Sequence, residues 1–218
     1  MFSRDPQGIV NRFKHGVKPV IGLVGAIGAG KSTAARAFAA RGGHAIDADA
    51  LGHEALRQPQ IVAALATLWG DGIRKPDGNL DRREIGRIVF ADPAARNALE
   101  AAVFPYIGER TRREIAAAQA DPAVAFVVLD AAVLLEAGWG EMVDKLVYVD
   151  APREERVARL AARSGWTVAD LSAREAAQWP AEKKMARADA VVVNGAERDE
   201  LQEQVDRLLA EWRLAPAP

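Results

Sequence analysis

The fold is decided by one stretch near the start of the chain, VIGLVGAIGAGKST at residues 20–33. Residues 25–32 fit the pattern G-x-x-x-x-G-K-[ST], which cradles phosphate groups. The apolar residues before the pattern predict a short buried strand over 20–24. The alanine-rich, proline-free residues after it predict a helix over 31–41. A strand, a glycine loop and a helix in this order aim a helix N-terminus at an anion, so the stretch predicts a phosphate-binding loop (the P-loop, residues 25–33).

Each part of the P-loop has a predicted role in holding a nucleoside triphosphate. The glycines let the backbone turn tightly, so that its N–H groups point at phosphate oxygens. Lys31 would neutralise the β- and γ-phosphates, and the Ser32 hydroxyl would be a ligand of Mg²⁺. The predicted nucleotide-binding residues of the loop are Ala26, Ile27, Gly28, Ala29, Gly30, Lys31, Ser32 and Thr33.

Composition excludes several classes of protein. The 218 residues include 29 Lys and Arg against 30 Asp and Glu, so no general affinity for nucleic acid is expected. There is no cysteine, which excludes disulfides and thiolate metal sites. The longest apolar run, residues 123–129, is too short to cross a bilayer, and the first residues lack the apolar core of a signal peptide. We expect a cytoplasmic protein without a membrane partner.

The remaining pattern alternates strands with helices, which predicts an α/β fold: a parallel sheet of about five strands with helices on both faces. Residues 1–18 are expected to form a loose extension, and the long helical stretch between the second and third strands is expected to be an insert. The further predicted strands are 44–46, 124–129, 145–149 and 190–193. The further predicted helices are 50–70, 81–90, 93–119 interrupted by Pro105, 152–164, 167–188 broken near Pro180, and 197–212.

Polar residues follow the predicted strands, at the edge where an open parallel sheet binds its ligands. Asp47 and Asp49 are expected to end a strand that neighbours the first one. In an extended segment they would point the same way, towards the γ-phosphate. The alternative is that one of them caps the next helix. Asp130 is a candidate Mg²⁺ ligand or, equally, a turn-capping residue, and Asn194 follows the last strand.

Arginines on the predicted helix 152–164 are candidates for binding phosphate. Arg159 and Arg163 are four residues apart and share a face, and guanidinium groups suit phosphate charge. The alternative is that Arg159 pairs with Glu155 on a wet surface. Arg153 and Arg156 lie on other faces and are expected to face solvent. The three histidines show no metal-binding spacing.

The chain resembles the dephospho-CoA kinase family, in a form similar to the kinase part of the bifunctional CoA synthase. The resemblance covers about residues 19–212 and depends on an ordered set of motifs. These are residues 25–33, 46–49, 77–82 with 89–90, 130–136, 159, 163–165, 176–178 and 194–195.

The resemblance implies a three-layer αβα P-loop NTPase fold and an ATP- and Mg²⁺-dependent kinase that phosphorylates the ribose 3′-hydroxyl of dephospho-CoA. The implied parts are a core (19–50, 120–160 and 186–212), an inserted helical acceptor domain (about 51–119), a helical lid (about 161–185) and a tail (213–218). The implied catalytic residues are Asp49 as general base, Lys31 and Arg159. The other implied contacts are Arg163 and Asn194 for ATP; Asp47, Asp49, Arg82, Leu134 and Glu136 for the acceptor; and Ser32, Asp47 and Asp130 for the metal.

The sequence departs from the family at two positions: Phe104 precedes Pro105 where a histidine is usual, and Ala132 replaces a proline. A role of that histidine is therefore not carried over. Two alternatives stay open: another small-molecule P-loop kinase, resembling shikimate or gluconate kinase, and a nucleotide-binding switch without transfer activity. We expect a monomer or a weak homo-oligomer.

Overall fold

The computed structural model describes residues 13–195 and 198–214. The chain divides into two compact units, the first comprising the residues up to Asp47 and from Arg113 onward, and the second comprising Ala48–Arg112. Among the described residues the first unit contains the strands β1 (Val20–Gly25), β2 (Gly43–Asp47), β3 (Phe126–Asp130), β4 (Lys145–Asp150) and β5 (Ala190–Val193). Its helices are α1 (Lys31–Ala39), α6 (Arg153–Ser164), α7 (Val168–Glu175), α8 (Ala181–Met185) and α9 (Arg198–Glu211). The second unit contains α2 (Ala48–Ala55), α3 (Pro59–Trp69), α4 (Arg82–Ala91) and most of α5 (Pro93–Ala120).

The five strands form one parallel sheet in the order β2-β3-β1-β4-β5, which confirms the predicted parallel sheet of about five strands. β1 lies at its centre and every residue of it is buried. The expectation that the strand ending at Asp47 neighbours β1 is wrong, because β3 lies between β1 and β2. A crossover connection can return to any position in a parallel sheet, and no local pattern encodes which position it takes.

One face of the sheet is covered by α1 and α9. Because side chains alternate along a strand, Ile21 and Leu23 of β1 point to the same face. There they belong to one buried cluster with Phe38 of α1 and Val205 of α9. The rings of Phe38 and Phe126 meet edge to face with their centroids 6.3 Å apart. This packing fixes α1, and therefore the end of the P-loop, against the sheet.

In the second unit, one helix predicted over 50–70 is two helices. The chain leaves the helical conformation at Gln58, whose φ and ψ are −72° and 126°, and α3 starts at Pro59. A proline excludes the helical conformation from the residue before it and favours the first position of a new helix. The chain turns at residues 76–79, where Asp77 accepts the backbone N–H of Asn79 at 2.9 Å.

The prediction that Pro105 interrupts its helix is wrong, because α5 runs through it. An internal proline removes one hydrogen bond and costs about 3 kcal/mol. Val103 and Ile107 are buried on either side of it. Burying such side chains stabilises a structure by about 1.5–3 kcal/mol each, which is enough to offset the proline.

The segment before β1 is held by hydrogen bonds from residue 13 onward. The backbone N–H of Lys14 donates to Asp144 at 2.8 Å, and that of Lys18 donates to Gln119 at 3.0 Å. Residues 1–12 of the predicted loose extension, residue 197 of the predicted last helix, and residues 215–218 of the tail lie outside the described residues. None of the helices in the described ranges is long and apolar enough to cross a membrane.

Candidate active site

The P-loop joins the central strand to the N-terminus of α1. The N–H of Ala29 donates to the carbonyl of Ala26 at 3.1 Å, which closes the turn. Gly30 is the cap residue of α1 and offers no side chain to bond the first N–H groups of the helix. The N–H of Thr33 donates to the carbonyl of Gly30 at 2.8 Å and closes the first turn. The N-terminus of a helix carries a partial positive charge that favours a bound anion.

The glycines of the loop are required by close packing. Gly30 has a φ of +88°, and a Cβ atom there would lie 2.0 Å from Nδ2 of Asn194. Gly28 has a φ of +79°, and its Cβ would lie 2.9 Å from Cδ1 of Leu160 in α6. Both conformations disfavour any other residue, and both approaches leave no room for a side chain.

Asn194 and Arg159 brace the P-loop from outside. The buried Asn194 side chain donates to the carbonyl of Ala29 at 2.8 Å. Arg159 donates to the Asn194 carbonyl at 2.9 Å and approaches the Ala29 carbonyl at 3.5 Å. Arg159 also forms an ion pair with Glu155 at 2.6 Å. This ion pair was considered above as an alternative role for Arg159 on a wet surface, but the side chain is half-buried. Asn194, predicted to bind ATP, and Arg159, predicted to be catalytic, are thus both brought to the loop.

Arg156 is not solvated as expected, because its side chain is buried against the P-loop. It donates to the carbonyl of Ile27 at 3.2 Å and to Glu175 at 2.6 Å. Arg153, which is half-exposed, bonds the other oxygen of Glu175 at 2.7 Å. Burial alone would raise the pKa of Glu175, but the bonds from the two arginines more than offset it and hold that pKa below its ordinary value. Helix periodicity could not reveal Arg156, because its acidic partner lies 19 residues further along the chain.

Carboxylates line the edge of the sheet from which the P-loop emerges. Asp47 and Asp130 are register partners at the ends of β2 and β3, and Asp130 is also opposite Leu23 of β1. Asp130 is buried, whereas Asp47 is exposed. The sheet therefore brings two of the predicted metal-binding residues side by side.

The expectation that Asp47 and Asp49 point the same way from an extended segment is wrong. Asp47 ends β2, but Asp49 lies in the first turn of α2 and in the second unit. The alternation of side chains along a strand therefore ends at Asp47 and does not extend to Asp49, because successive side chains of a helix are rotated by about 100° about its axis. Asp47 occupies the position before α2 at which a helix-capping residue sits.

The oxygen atoms of Ser32, Asp47 and Asp130 fit the chemistry of Mg²⁺. No group of three or more His, Cys, Asp or Glu side chains that could hold a metal exists within residues 13–195 and 198–214. Mg²⁺ with a nucleotide does not need one, because it takes one or two carboxylates and completes its shell with water and phosphate.

A pocket of about 100 Å³ lies beside the P-loop, between residues 25–27 and residues 178–184. Lys184 forms its floor and is 2 % exposed. Its Nζ donates to Oε1 of Glu136 at 2.8 Å, to the carbonyl of Ala132 at 2.9 Å and to Oε1 of Gln178 at 3.1 Å. Glu136 also accepts the N–H of Trp179 at 3.0 Å. This ion pair fastens the segment before β5 to the segment after β3.

No sequence pattern marks Lys184, since a lysine in a polar run normally faces solvent. The other predicted residues are distributed as follows. Arg163 is exposed in the last turn of α6. Leu134 is fully buried and offers a substrate no surface in this structure. Arg82 begins α4 in the second unit, where it contacts His53.

A glycine loop between a central parallel strand and a helix, with carboxylates at the adjoining strand ends, defines a P-loop nucleotide-binding protein equipped for phosphoryl transfer. The sequence profile of the dephospho-CoA kinase family matches residues 19–200. The chain belongs to the dephospho-CoA kinase family.

Known proteins agree with this assignment. The dephospho-CoA kinase of Anaeromyxobacter dehalogenans is 44% identical over 197 residues, which is 89% of this chain and 92% of that protein. A crystal structure from Thermus thermophilus superposes with a TM-score of 0.74 at 36% identity, covering 89% of this chain and 97% of the other. The dephospho-CoA kinase of Campylobacter jejuni has a TM-score of 0.65 at 23% identity, with the same coverage, and shows that the fold is shared.

Proposed function

We propose that this chain transfers the γ-phosphate of ATP to the ribose 3′-hydroxyl of 3′-dephospho-CoA, which gives CoA and ADP in the last step of CoA biosynthesis. The observation that carries the proposal is the extent of the family match, residues 19–200. This range includes the whole unit Ala48–Arg112 as well as the P-loop. A shikimate- or gluconate-like kinase would share the P-loop but not the rest, so it is the weaker alternative.

The donor would be held by the P-loop. The N-terminus of α1 would bind phosphate oxygens, and Lys31 in its first turn would neutralise the β- and γ-phosphates. Ser32, Asp47 and Asp130 would hold Mg²⁺. When bound, this ion neutralises charge that builds up on the phosphates during transfer. Asn194 would lie near the adenine, as the family resemblance implies.

Asp49 would be the general base. The reaction needs a group that accepts the proton of the 3′-hydroxyl as its oxygen attacks phosphorus, and a carboxylate suits this task. Asp49 is exposed in the first turn of α2, two residues after the end of β2. Arg159 would stabilise the charge of the transferred phosphoryl group, supported by its approach to the P-loop carbonyl of Ala29.

The lid would be shorter than the sequence suggests. Glu175 is tied to Arg153 and Arg156, and the buried Lys184 fastens the segment that follows. Arg153 also donates to Ser172 at 3.0 Å. These contacts would keep residues 172–185 in place, so we assign the closing movement to residues 161–171, with Arg163 reaching the nucleotide. Closure would exclude water, which would otherwise accept the phosphoryl group.

The unit Ala48–Arg112 would bind the acceptor, with Arg82 as one contact. The enzyme would work in the cytoplasm, where ATP is available, as a monomer or a weak homo-oligomer.

ADP release tests the function. The purified chain is incubated with Mg²⁺ and ATP together with dephospho-CoA, shikimate or gluconate. We expect turnover with dephospho-CoA alone, and none with Lys31→Ala. Turnover with shikimate or gluconate but not with dephospho-CoA would overturn the proposal. Tight ATP binding without transfer to any acceptor would support a nucleotide-binding switch instead.

A further inference from the structure

The second unit contains a basic pocket of about 260 Å³ that the P-loop chemistry does not explain. Four basic side chains line it: His53 and Arg57 from α2 and the loop after it, Lys75 before the turn, and Arg82 at the start of α4. The unit as a whole contains nine Lys and Arg and nine Asp and Glu. The positive charge is therefore concentrated in this pocket and is not a property of the whole unit.

The one acidic residue that lines the pocket, Asp77, is engaged by its own turn. Its carboxylate accepts the backbone N–H of Asn79 at 2.9 Å. Hydrogen bonding from Asn79, and to a smaller extent the charge of Lys75, holds the pKa of Asp77 below its ordinary value. Asp77 thus shapes the turn that presents Lys75 and does not form an ion pair across the pocket.

Three arginines elsewhere in the unit pair with carboxylates, whereas Arg57 and Arg82 of the pocket do not within the described part of the chain. Arg74 pairs with Asp71, Arg87 with Glu84 and Arg110 with Glu54. Among the residues that the structure describes, no carboxylate lies within 4.0 Å of the charged groups of Arg57, Lys75 or Arg82.

Arg82 lies instead against another basic residue. Its Nη2 is 2.5 Å from Nε2 of His53. A guanidinium can only donate, so the imidazole nitrogen is the acceptor in this contact. This contact occupies one N–H donor of Arg82, so most of its N–H donors remain available to a ligand in the pocket.

We propose that this pocket binds the 5′-diphosphate bridge of dephospho-CoA; the proposal rests on the proposed function. A diphosphate offers several negative oxygens close together, and guanidinium forks match such oxygens in pairs. Leu56 and Leu80 also line the pocket and suit the uncharged parts of the molecule on either side of the bridge. The pocket selects acceptors that carry the diphosphate and anchors them before transfer.

The test is the steady-state kinetics of Arg57→Gln and Lys75→Gln with dephospho-CoA as the varied substrate. Each variant raises the KM for dephospho-CoA about 10-fold or more, as expected for a lost bond to a charged group, while kcat and the KM for ATP stay within about twofold. Isothermal titration calorimetry without ATP gives the same weakening of dephospho-CoA binding. Arg83→Gln is the matched control, because Arg83 is an exposed neighbour on α4 that does not line the pocket. All variants keep the wild-type circular dichroism and melting curve.

Three outcomes separate the two proposals. Loss of dephospho-CoA affinity in the pocket variants but not in Arg83→Gln supports the pocket. An unchanged KM for dephospho-CoA in both pocket variants overturns the pocket proposal. The same result is expected if the pocket binds free phosphate instead of the diphosphate of dephospho-CoA. A wild-type enzyme that does not phosphorylate dephospho-CoA at all contradicts the proposed function, and it does so before any variant is measured.

Discussion

Lys184→Met removes the cation from the buried cluster beside the P-loop. Nζ of Lys184 makes three contacts, of which the one to Glu136 is an ion pair at 2.8 Å. Methionine has a similar length but no charge and no donor. The variant therefore leaves Glu136 as a largely buried carboxylate without its counter-charge.

The cost follows from the burial of both partners. Removing one member of a buried ion pair costs about 3–5 kcal/mol. Oε2 of Glu136 is already buried without a hydrogen-bond partner, but that side chain keeps 16% exposure against 2% for Lys184. We therefore take the lower end, about 3 kcal/mol. For a chain of this size each kcal/mol lowers the Tm by roughly 2–4 °C, so the expected fall is about 6–12 °C.

Differential scanning calorimetry without ligand measures the effect, with Lys183→Met as the matched control. Lys183 is exposed and its Nζ lies 3.5 Å from the ring centre of Trp179. Loss of an exposed cation–π contact, worth about 0.5–1 kcal/mol, is expected to lower the Tm by only about 1–4 °C. Lys184→Met combined with Glu136→Gln removes the stranded charge and is expected to recover about half of the loss. A Lys184→Met melting temperature equal to that of Lys183→Met would refute the argument that the ion pair fastens this segment.

Three further predictions concern the site. Asp49→Asn lowers kcat about 10²–10⁴-fold, as for loss of a general base, with ATP affinity near normal by calorimetry; unchanged turnover would remove Asp49 from the mechanism. Gly30→Ala pushes the loop away from Asn194 and lowers kcat/KM for ATP about 100-fold. Gly72→Ala is the control and has no effect, because a Cβ atom at Gly72 meets no other atom within 4 Å. Equal kcat/KM values for the two variants would show that close packing does not require a glycine at position 30. Glu175→Gln lowers the Tm at pH 7. Because the pKa of Glu175 is lowered by folding, its contribution to stability is complete above the unfolded pKa of about 4.3 and is lost as pH falls through the folded pKa. The difference in Tm therefore shrinks as the pH is lowered below the unfolded pKa; a difference that stays constant down to the acid limit of folding would exclude the charge as its cause.

The elements that follow a local pattern were predictable. The P-loop, its strand and its helix follow from one motif, and the buried strands follow from continuous apolar runs such as residues 124–129. The break before Pro59 was equally visible in the sequence, because proline excludes the helical conformation from the residue before it. The continuous α5 could not be predicted, since the packing around Pro105 outweighs the local penalty.

The parts of the site that depend on distant contacts were not predictable. Arg156 and Lys184 occur in polar helices and carry no mark of burial, because their partners Glu175 and Glu136 lie 19 and 48 residues away in the chain. The order of the strands in the sheet also depends on contacts between distant parts of the chain. Periodicity encodes which face of an element is buried but not which element covers it.

The position of the new phosphate on the product shows directly whether the enzyme phosphorylates the ribose 3′-hydroxyl of dephospho-CoA. Purified enzyme is incubated with Mg²⁺, ATP and dephospho-CoA, and the product is analysed by mass spectrometry and by ¹H–³¹P correlation NMR. We expect a product heavier by one phosphate, with the new phosphorus coupled to the ribose 3′ proton, and no such product from Lys31→Ala. A phosphate on any other oxygen, or ATP consumption that leaves dephospho-CoA unmodified, would contradict this expectation.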